Sequence, residues 1–190
     1  MRAFVAIFPP PELQAAVTGA LETVQRLDDK VRWVRPENIH LTLRFLGNVQ
    51  EETLGNLGAA LEETCAGHKP FDIGLVRLGA FPSARRARIL WIGVDAGSDQ
   101  LRALAADLGS ALIPLGFERE KRAFTPHLTL GRVRSRPVNF DGLPTTIGDL
   151  RFRVRHIELI ESTLSPEGVT YRTIQAFALK GEGIKNDLKA

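Results

Sequence analysis

The chemistry this sequence can offer rests on two histidines, each in the same four-residue setting. His40-Leu41-Thr42-Leu43 lies within Glu37-Asn38-Ile39-His40-Leu41-Thr42-Leu43-Arg44-Phe45-Leu46-Gly47. His127-Leu128-Thr129-Leu130 lies within Phe124-Thr125-Pro126-His127-Leu128-Thr129-Leu130-Gly131-Arg132-Val133. Both copies alternate polar and apolar side chains, the period of a half-buried strand. The leucines then share a core face, while His40 with Thr42, and His127 with Thr129, share the other. An imidazole titrates near neutral pH, so one of a pair can be neutral while its partner is protonated. On opposite sides of a phosphorus, the neutral one accepts a proton from an attacking nucleophile. The protonated one gives a proton to the leaving oxygen. Opening a strained 2′,3′-cyclic phosphate is easy enough to need no metal and no covalent intermediate. Each threonine stands beside its imidazole and can donate its hydroxyl to a non-bridging phosphate oxygen. A nearby arginine can clamp the anion through two parallel hydrogen bonds.

Rival readings stand beside this one. A histidine on a half-buried strand is often a satisfied structural residue. Two histidines can ligate zinc, but neither motif holds a further His, Cys, Asp or Glu at ligand spacing. His68 and His156 fall in a loop after a helix and in a late strand, and His156 lacks the threonine and the flanking leucines. Ser162 and Ser165 are not in a nucleophile-elbow context, and neither a P-loop nor a dinucleotide fingerprint is present. No metal site and no cofactor are expected.

The elements that position the motifs follow from periodicity. Residues 2–8 read as a strand ended by Pro9, Pro10 and Pro11, which can open a helix over 11–29. Strands are expected at 31–34 and about 38–46, a helix at 51–66, strands at 71–79 and 88–95, and a helix at 98–113. The second histidine strand covers about 126–134, a loop follows at 135–149, and two long strands, 150–164 and 169–180, close on a Ser165–Gly168 turn. Mixed elements with short strand connections argue α+β with largely antiparallel sheet. One histidine strand per half of the chain suggests two pseudo-symmetric lobes with helices outside and a cleft between them. Residues 1–180 are read as a single bilobal domain and 181–190 as a frayed tail.

The 190 residues suffice to bury a sizeable core, and 44% hydrophobic with 25% charged residues is ordinary for a globular protein. The net charge is only +3, but the basic residues cluster, as at Arg119, Lys121 and Arg122 or Arg132, Arg134 and Arg136. Such clusters suit either a phosphate-bearing partner or a solvated surface. The single cysteine, Cys65, excludes an internal disulfide and fits a reducing cytoplasm. The opening apolar run is too short for a signal peptide, and no segment has the length to span a bilayer.

These residues resemble the paired signature of the two-histidine phosphoesterase superfamily. More closely, the chain resembles the RNA 2′,3′-cyclic phosphodiesterases, the LigT-like or 2′-5′ RNA ligase family. The likeness runs from Met1-Arg2-Ala3-Phe4-Val5-Ala6-Ile7 through Arg32–Gly47, Phe81-Pro82-Ser83 and Arg88–Trp91 to Glu161–Gly168 and Tyr171. It implies hydrolysis of an RNA 2′,3′-cyclic phosphate end to a 2′-phosphate. His40 would be the general acid toward the 3′ oxygen, His127 the general base toward water, and Thr42 and Thr129 would hold the phosphate. Arg132 can contact phosphate if the strand twists or bulges at Gly131; strict alternation makes Arg44 its rival. Phe45 falls on the core side by parity, with a base-stacking platform as the alternative. The expected partner is an RNA 3′ end bearing a cyclic phosphate, from a tRNA fragment or a small cyclic nucleotide, met by a cytoplasmic monomer. Run backwards with a 5′-hydroxyl, the same site would ligate. An RNA-end-binding protein without turnover and a broad cyclic-nucleotide phosphodiesterase are the other readings.

Overall fold

Apolar runs too short for helices and bounded by Pro or Gly become strands here, and leucines spaced three or four apart become helices. A computed structural model describes residues 1–21, 24, 30–141, 146–166 and 168–181. The elements are β1 (Arg2–Ile7), α1 (Pro11–Ala20), β2 (Val31–Trp33), β3 (Leu41–Asn48), α2 (Leu54–Ala66), β4 (Phe71–Phe81), β5 (Ile89–Val94), α3 (Ser98–Leu112), β6 (His127–Val133), β7 (Thr146–Val154), β8 (His156–Ser165) and β9 (Gly168–Ala178). The class is α+β, as expected. Every strand pairing is antiparallel. The order is β7-β4-β5-β6-β3-β1-β8-β9, with β2 beside β6.

That order sets the histidine strands β6 and β3 side by side in the middle. They join at Leu41 opposite Leu128. Leu41, Leu43, Leu128 and Leu130 point into one core with Leu57 and Leu61 of α2 and Leu101, Leu104 and Leu108 of α3. Those helix leucines recur at three- and four-residue spacing, so each helix buries one stripe. The leucines of α2 and α3 pack on the leucine face, and the histidines stand on the other.

Three expectations need correction. The first histidine strand begins at Leu41, because Pro36–Asn38 forms a 3₁₀ turn and His40 sits at its exit. The expected strand 150–164 is two strands: β7 pairs with β4 and β8 with β1, with a break at Arg155. The signal was in the sequence. Leu150, Phe152 and Val154 alternate on even positions, Ile157 and Leu159 on odd ones, so the phase slips at Arg155-His156. The helix expected over 11–29 is described to Ala20; residues 22, 23 and 25–29, like 182–190 of the expected tail, lie outside the described residues.

The third correction concerns Arg44. Along β1, Val5 faces Arg44 and Ala6 faces Thr42, so Leu43 is an extra residue in β3. This bulge shifts the parity of Arg44 and Phe45; a second shift, at Leu46, follows. Arg44 turns inward, 5% exposed, donates to the Glu118 carbonyl and pairs with Glu120 at 3.6 Å. It fastens the segment leading to β6 rather than facing the cleft. Replacing Arg44 by Ala removes a charged hydrogen bond and is expected to lower stability by about 1.5–3 kcal/mol. A urea melt measures this, and turnover of a small cyclic phosphate by the folded variant should stay within a few-fold of wild type.

Candidate active site

Antiparallel pairing at Leu41 and Leu128 dictates what flanks it. One residue away in each direction, His40 falls opposite Thr129, and His127 opposite Thr42. The two histidines are thus diagonal neighbours across the seam, a relation that spans roughly 7–8 Å in a regular sheet. They are near enough for charge on His127 to disfavour charge on His40.

Both imidazoles are oriented by the same local device. His40 Nδ1–H donates to the Asn38 carbonyl at 2.7 Å, and His127 Nδ1–H to the Thr125 carbonyl at 2.6 Å. A carbonyl only accepts, so Nδ1 carries the proton in each ring. Each Nε2 is left to face a substrate. The sequence supplies the turn that aims these carbonyls: Pro36–Asn38 before His40 and Pro126 before His127.

Aromatic rings enclose both histidines. Phe4, Phe8 and Tyr171 lie 4.9, 5.2 and 5.2 Å from the His40 ring, the last edge-on. Phe81 and Trp91 lie 5.2 and 6.1 Å from His127. The Trp91 ring covers Gly79 and Gly93, and Gly93 stands opposite His127; a side chain at Gly79 would collide with the indole. Burial of this kind disfavours the imidazolium, so both histidines are pushed below the ordinary value of 6.5. Their carbonyl hydrogen bonds oppose that shift, and the Arg132 charge adds to it for both.

Arg132 reaches this face through a second bulge. Leu90 faces Gly131 and Trp91 faces Thr129, so Leu130 is the extra residue in β6. The bulge lies at Leu130, one residue before the Gly131 position expected. Both bulges fall on the fourth residue of their motifs. Each moves the fifth residue after its histidine onto the site face. In β6 that residue is Arg132; in β3 it is Phe45. Phe45 is 66% exposed and 6.3 Å from Phe4, so its assignment to the core was wrong.

Of the residues singled out in the sequence, His40, Thr42, His127, Thr129 and Arg132 gather on one face, and Arg44 does not join them. Phe4, Phe8, Phe81 and Trp91 were missed as site residues. Alternation of Phe4, Ala6 and Phe8 along β1 carried a signal, but which face was the site depended on pairing. A groove of about 840 Å³ begins at Arg44 and Phe45 and runs between the end of β3 and residues 115–122, and neither histidine lines it. Among the described residues, no three His, Cys, Asp or Glu side chains gather as metal ligands.

Fold and site define a class: an α+β protein whose two central strands each present a histidine and a threonine to one shared face. The 2′-5′ RNA ligase superfamily model matches residues 9–165, and the chain belongs to that family. This is the family its motifs resemble. The chain is 35% identical over 185 residues to the RNA 2′,3′-cyclic phosphodiesterase of Methanothermobacter thermautotrophicus, covering 94% of this chain and 99% of that one. The Aquifex aeolicus RNA 2′,3′-cyclic phosphodiesterase is 31% identical over 195 residues, covering 95% and 98%. A crystal structure from Thermus thermophilus superposes with a TM-score of 0.85 at 29% identity, covering 96% and 100%. E. coli LigT complexed with 3′-AMP gives 0.80 at 26%, covering 94% and 97%.

The electrostatics set a pH profile. The limbs of a kcat/KM bell report the free enzyme's acid and base. With both histidines depressed, the bell is expected to centre below pH 6.5. Arg132→Gln removes a positive charge that lowers both, so both limbs should move to higher pH, read from kcat/KM across pH 4.5–9, a range on the order of the titration span of histidine.

Proposed function

We propose that the chain hydrolyses RNA 2′,3′-cyclic phosphate ends to 2′-phosphate ends, with His40 as general acid and His127 as general base. The observation that carries this is the matched pair of Nδ1–carbonyl hydrogen bonds, which leaves two Nε2 atoms free on one face of the seam. Neutral His127 accepts a proton from water through Nε2 as the water oxygen bonds to phosphorus. The bond from phosphorus to O3′ breaks. Protonated His40 gives its Nε2 proton to that oxygen, leaving a 3′-hydroxyl and a 2′-phosphate. The net movement of one proton from His40 to His127 is reversed through solvent. Assignment of acid and base follows the family resemblance.

Thr42 and Thr129 donate hydroxyls to the non-bridging oxygens, and Arg132 balances the charge that grows there. Phe45, exposed beside Phe4, offers a stacking face to the terminal base. The likeness to RNA 2′,3′-cyclic phosphodiesterases and to LigT, whose structure holds 3′-AMP, supports a substrate of this class. With an RNA 5′-hydroxyl attacking the cyclic phosphate in place of water, the same groups would form a 2′-5′ linkage and leave a 3′-hydroxyl; the reverse of that step would cleave it. Among the described residues, no helix is long and apolar enough to cross a membrane. The chain is read as a cytoplasmic monomer acting on RNA 3′ ends.

The test is incubation in chelator with an oligoribonucleotide ending in a 2′,3′-cyclic phosphate. Wild type is expected to give a 2′-phosphate, identified against 2′- and 3′-phosphate standards. His40→Ala and His127→Ala should each lower kcat by about 10²–10⁴. Turnover that survives either substitution would remove that residue from the mechanism. RNA bound without turnover would make the protein an end-binding module. Phe45→Ala should raise KM by roughly five- to hundred-fold, the range that loss of one base–aromatic stack supplies.

A further inference from the structure

The site face carries a second pair of like side chains. The short strand β2 lies against β6 with Val31 opposite Val133, Arg32 opposite Arg132 and Trp33 opposite Gly131. Residues directly opposite each other in a sheet point to the same side. Val31 is buried and Arg32 exposed, so Arg32 shares the side of Arg132. That is the side of the two histidines, whose charge Arg132 opposes.

Like charges directly opposite one another destabilise a sheet. A carboxylate between them would relieve the repulsion, and elsewhere this protein uses that remedy. Arg85, Arg102, Arg151, Arg153 and Arg172 each have an aspartate or glutamate at 3.0 Å or less. Among the described residues, neither Arg32 nor Arg132 has one within ion-pair distance. Two guanidinium groups side by side, with no carboxylate at ion-pair distance among the described residues, on the face that also carries both histidines, form a site for anionic oxygen.

Their places differ. Arg132 sits five residues along β6 from His127 and acts on both histidines. Arg32 lies one strand further out. Its Nη2 reaches the tip of the β8–β9 hairpin, where a side chain at Gly168 would meet it at 3.5 Å. The hairpin is held over the site by Tyr171 against His40 and by Asn38 Nδ2 donating to the Val169 carbonyl at 3.5 Å. Arg32 therefore stands between Arg132 and the rim, about 5 Å of strand spacing from the strand that bears Arg132.

We propose that the two arginines hold successive phosphates of an RNA end, Arg132 the reacting cyclic phosphate and Arg32 the phosphate on the 5′ side of the terminal nucleotide. This deepens the function proposed above and rests on it. Arg32 is a substrate-positioning residue: it does not touch the reacting phosphorus and it selects ends that carry a second phosphate. A bare nucleoside 2′,3′-cyclic phosphate would leave it empty.

The experiment compares wild type, Arg32→Gln and Arg32→Lys on three substrates. These are a nucleoside 2′,3′-cyclic phosphate, the same nucleoside also carrying a 5′-phosphate, and an oligoribonucleotide with a 2′,3′-cyclic phosphate end. Arg32→Gln is expected to raise KM for the oligoribonucleotide by about ten-fold or more, with kcat unchanged, and to leave the bare nucleoside substrate unaffected. Arg32→Lys keeps the charge without the planar fork and should recover part of the loss. The slope of log KM against log salt for the oligoribonucleotide should fall by about 0.7, one phosphate contact on a single strand. A loss shared by the 5′-phosphorylated nucleoside identifies a single phosphate as sufficient occupant; a loss confined to the oligoribonucleotide identifies the phosphodiester. Equal losses on all three substrates, or none on any, would overturn the proposal. Thermal melts of the free variants separate misfolding from lost binding, since removing a repelling charge should leave the melting temperature equal or higher. If wild type turns over none of the substrates, the phosphodiesterase reading has failed by itself. Affinity for an oligoribonucleotide ending in a 2′-phosphate then decides for Arg32, weaker binding by the glutamine variant supporting it and equal binding sinking it.

Discussion

The structure depends on one short backbone contact, the antiparallel pairing of Leu41 with Leu128. Everything at the site is referred to it. Both leucines are fully buried, and burying such a side chain is worth about 1.5–3 kcal/mol. The leucine side of each strand therefore cannot turn over without losing the core. With that side held, His40, Thr42, His127 and Thr129 must face away from the helices, each histidine across from the other strand's threonine. The half-sheets on either side, β7-β4-β5-β6 and β3-β1-β8-β9, brace the contact from both flanks. The described register between the two halves is that single pair.

The two bulges divide the labour between the strands. An unbroken alternation would send Arg44 outward and Phe45 and Arg132 inward. Extra residues at Leu43 and Leu130 reverse this. Arg44 becomes an internal tie to Glu118 and Glu120. In its equivalent position, four residues after the histidine, β6 has Gly131, where a side chain would strike Val31. The fifth positions emerge on the site, as an aromatic face in β3 and a cation in β6. A bulge is a local insertion in the ladder, so the same device placed at the same motif position gives both strands the same change of phase.

The environment of the histidines has a consequence for how the free and occupied sites differ. Aromatic walls and Arg132 favour neutral imidazoles while the site is empty. An anion between them would supply the negative charge that an imidazolium needs, and would offset Arg132. Protonation of an imidazole there would then be coupled to binding of an anion, because charge is stabilised in a low-dielectric site only where an opposite charge is close.

Much of the site was legible in the sequence. Two His-x-Thr-Leu motifs, their alternation and the leucine spacing of the helices depend on neighbours in sequence, and local period alone assigns them. Even the break between β7 and β8 was written as a phase slip at Arg155-His156. The fate of Arg44, Phe45 and Arg132 was not legible, since a bulge exists only relative to a partner strand. The aromatic walls were equally hidden: Phe4, Phe8, Phe81, Trp91 and Tyr171 come from four strands and the turn after β1, and no spacing along the chain connects them. The sequence by itself determined which side chains can do acid–base chemistry and which face of each strand they occupy, because strand period and burial are local. Only the tertiary structure decided which residues meet across the seam, because register and bulges are properties of paired strands and not of one.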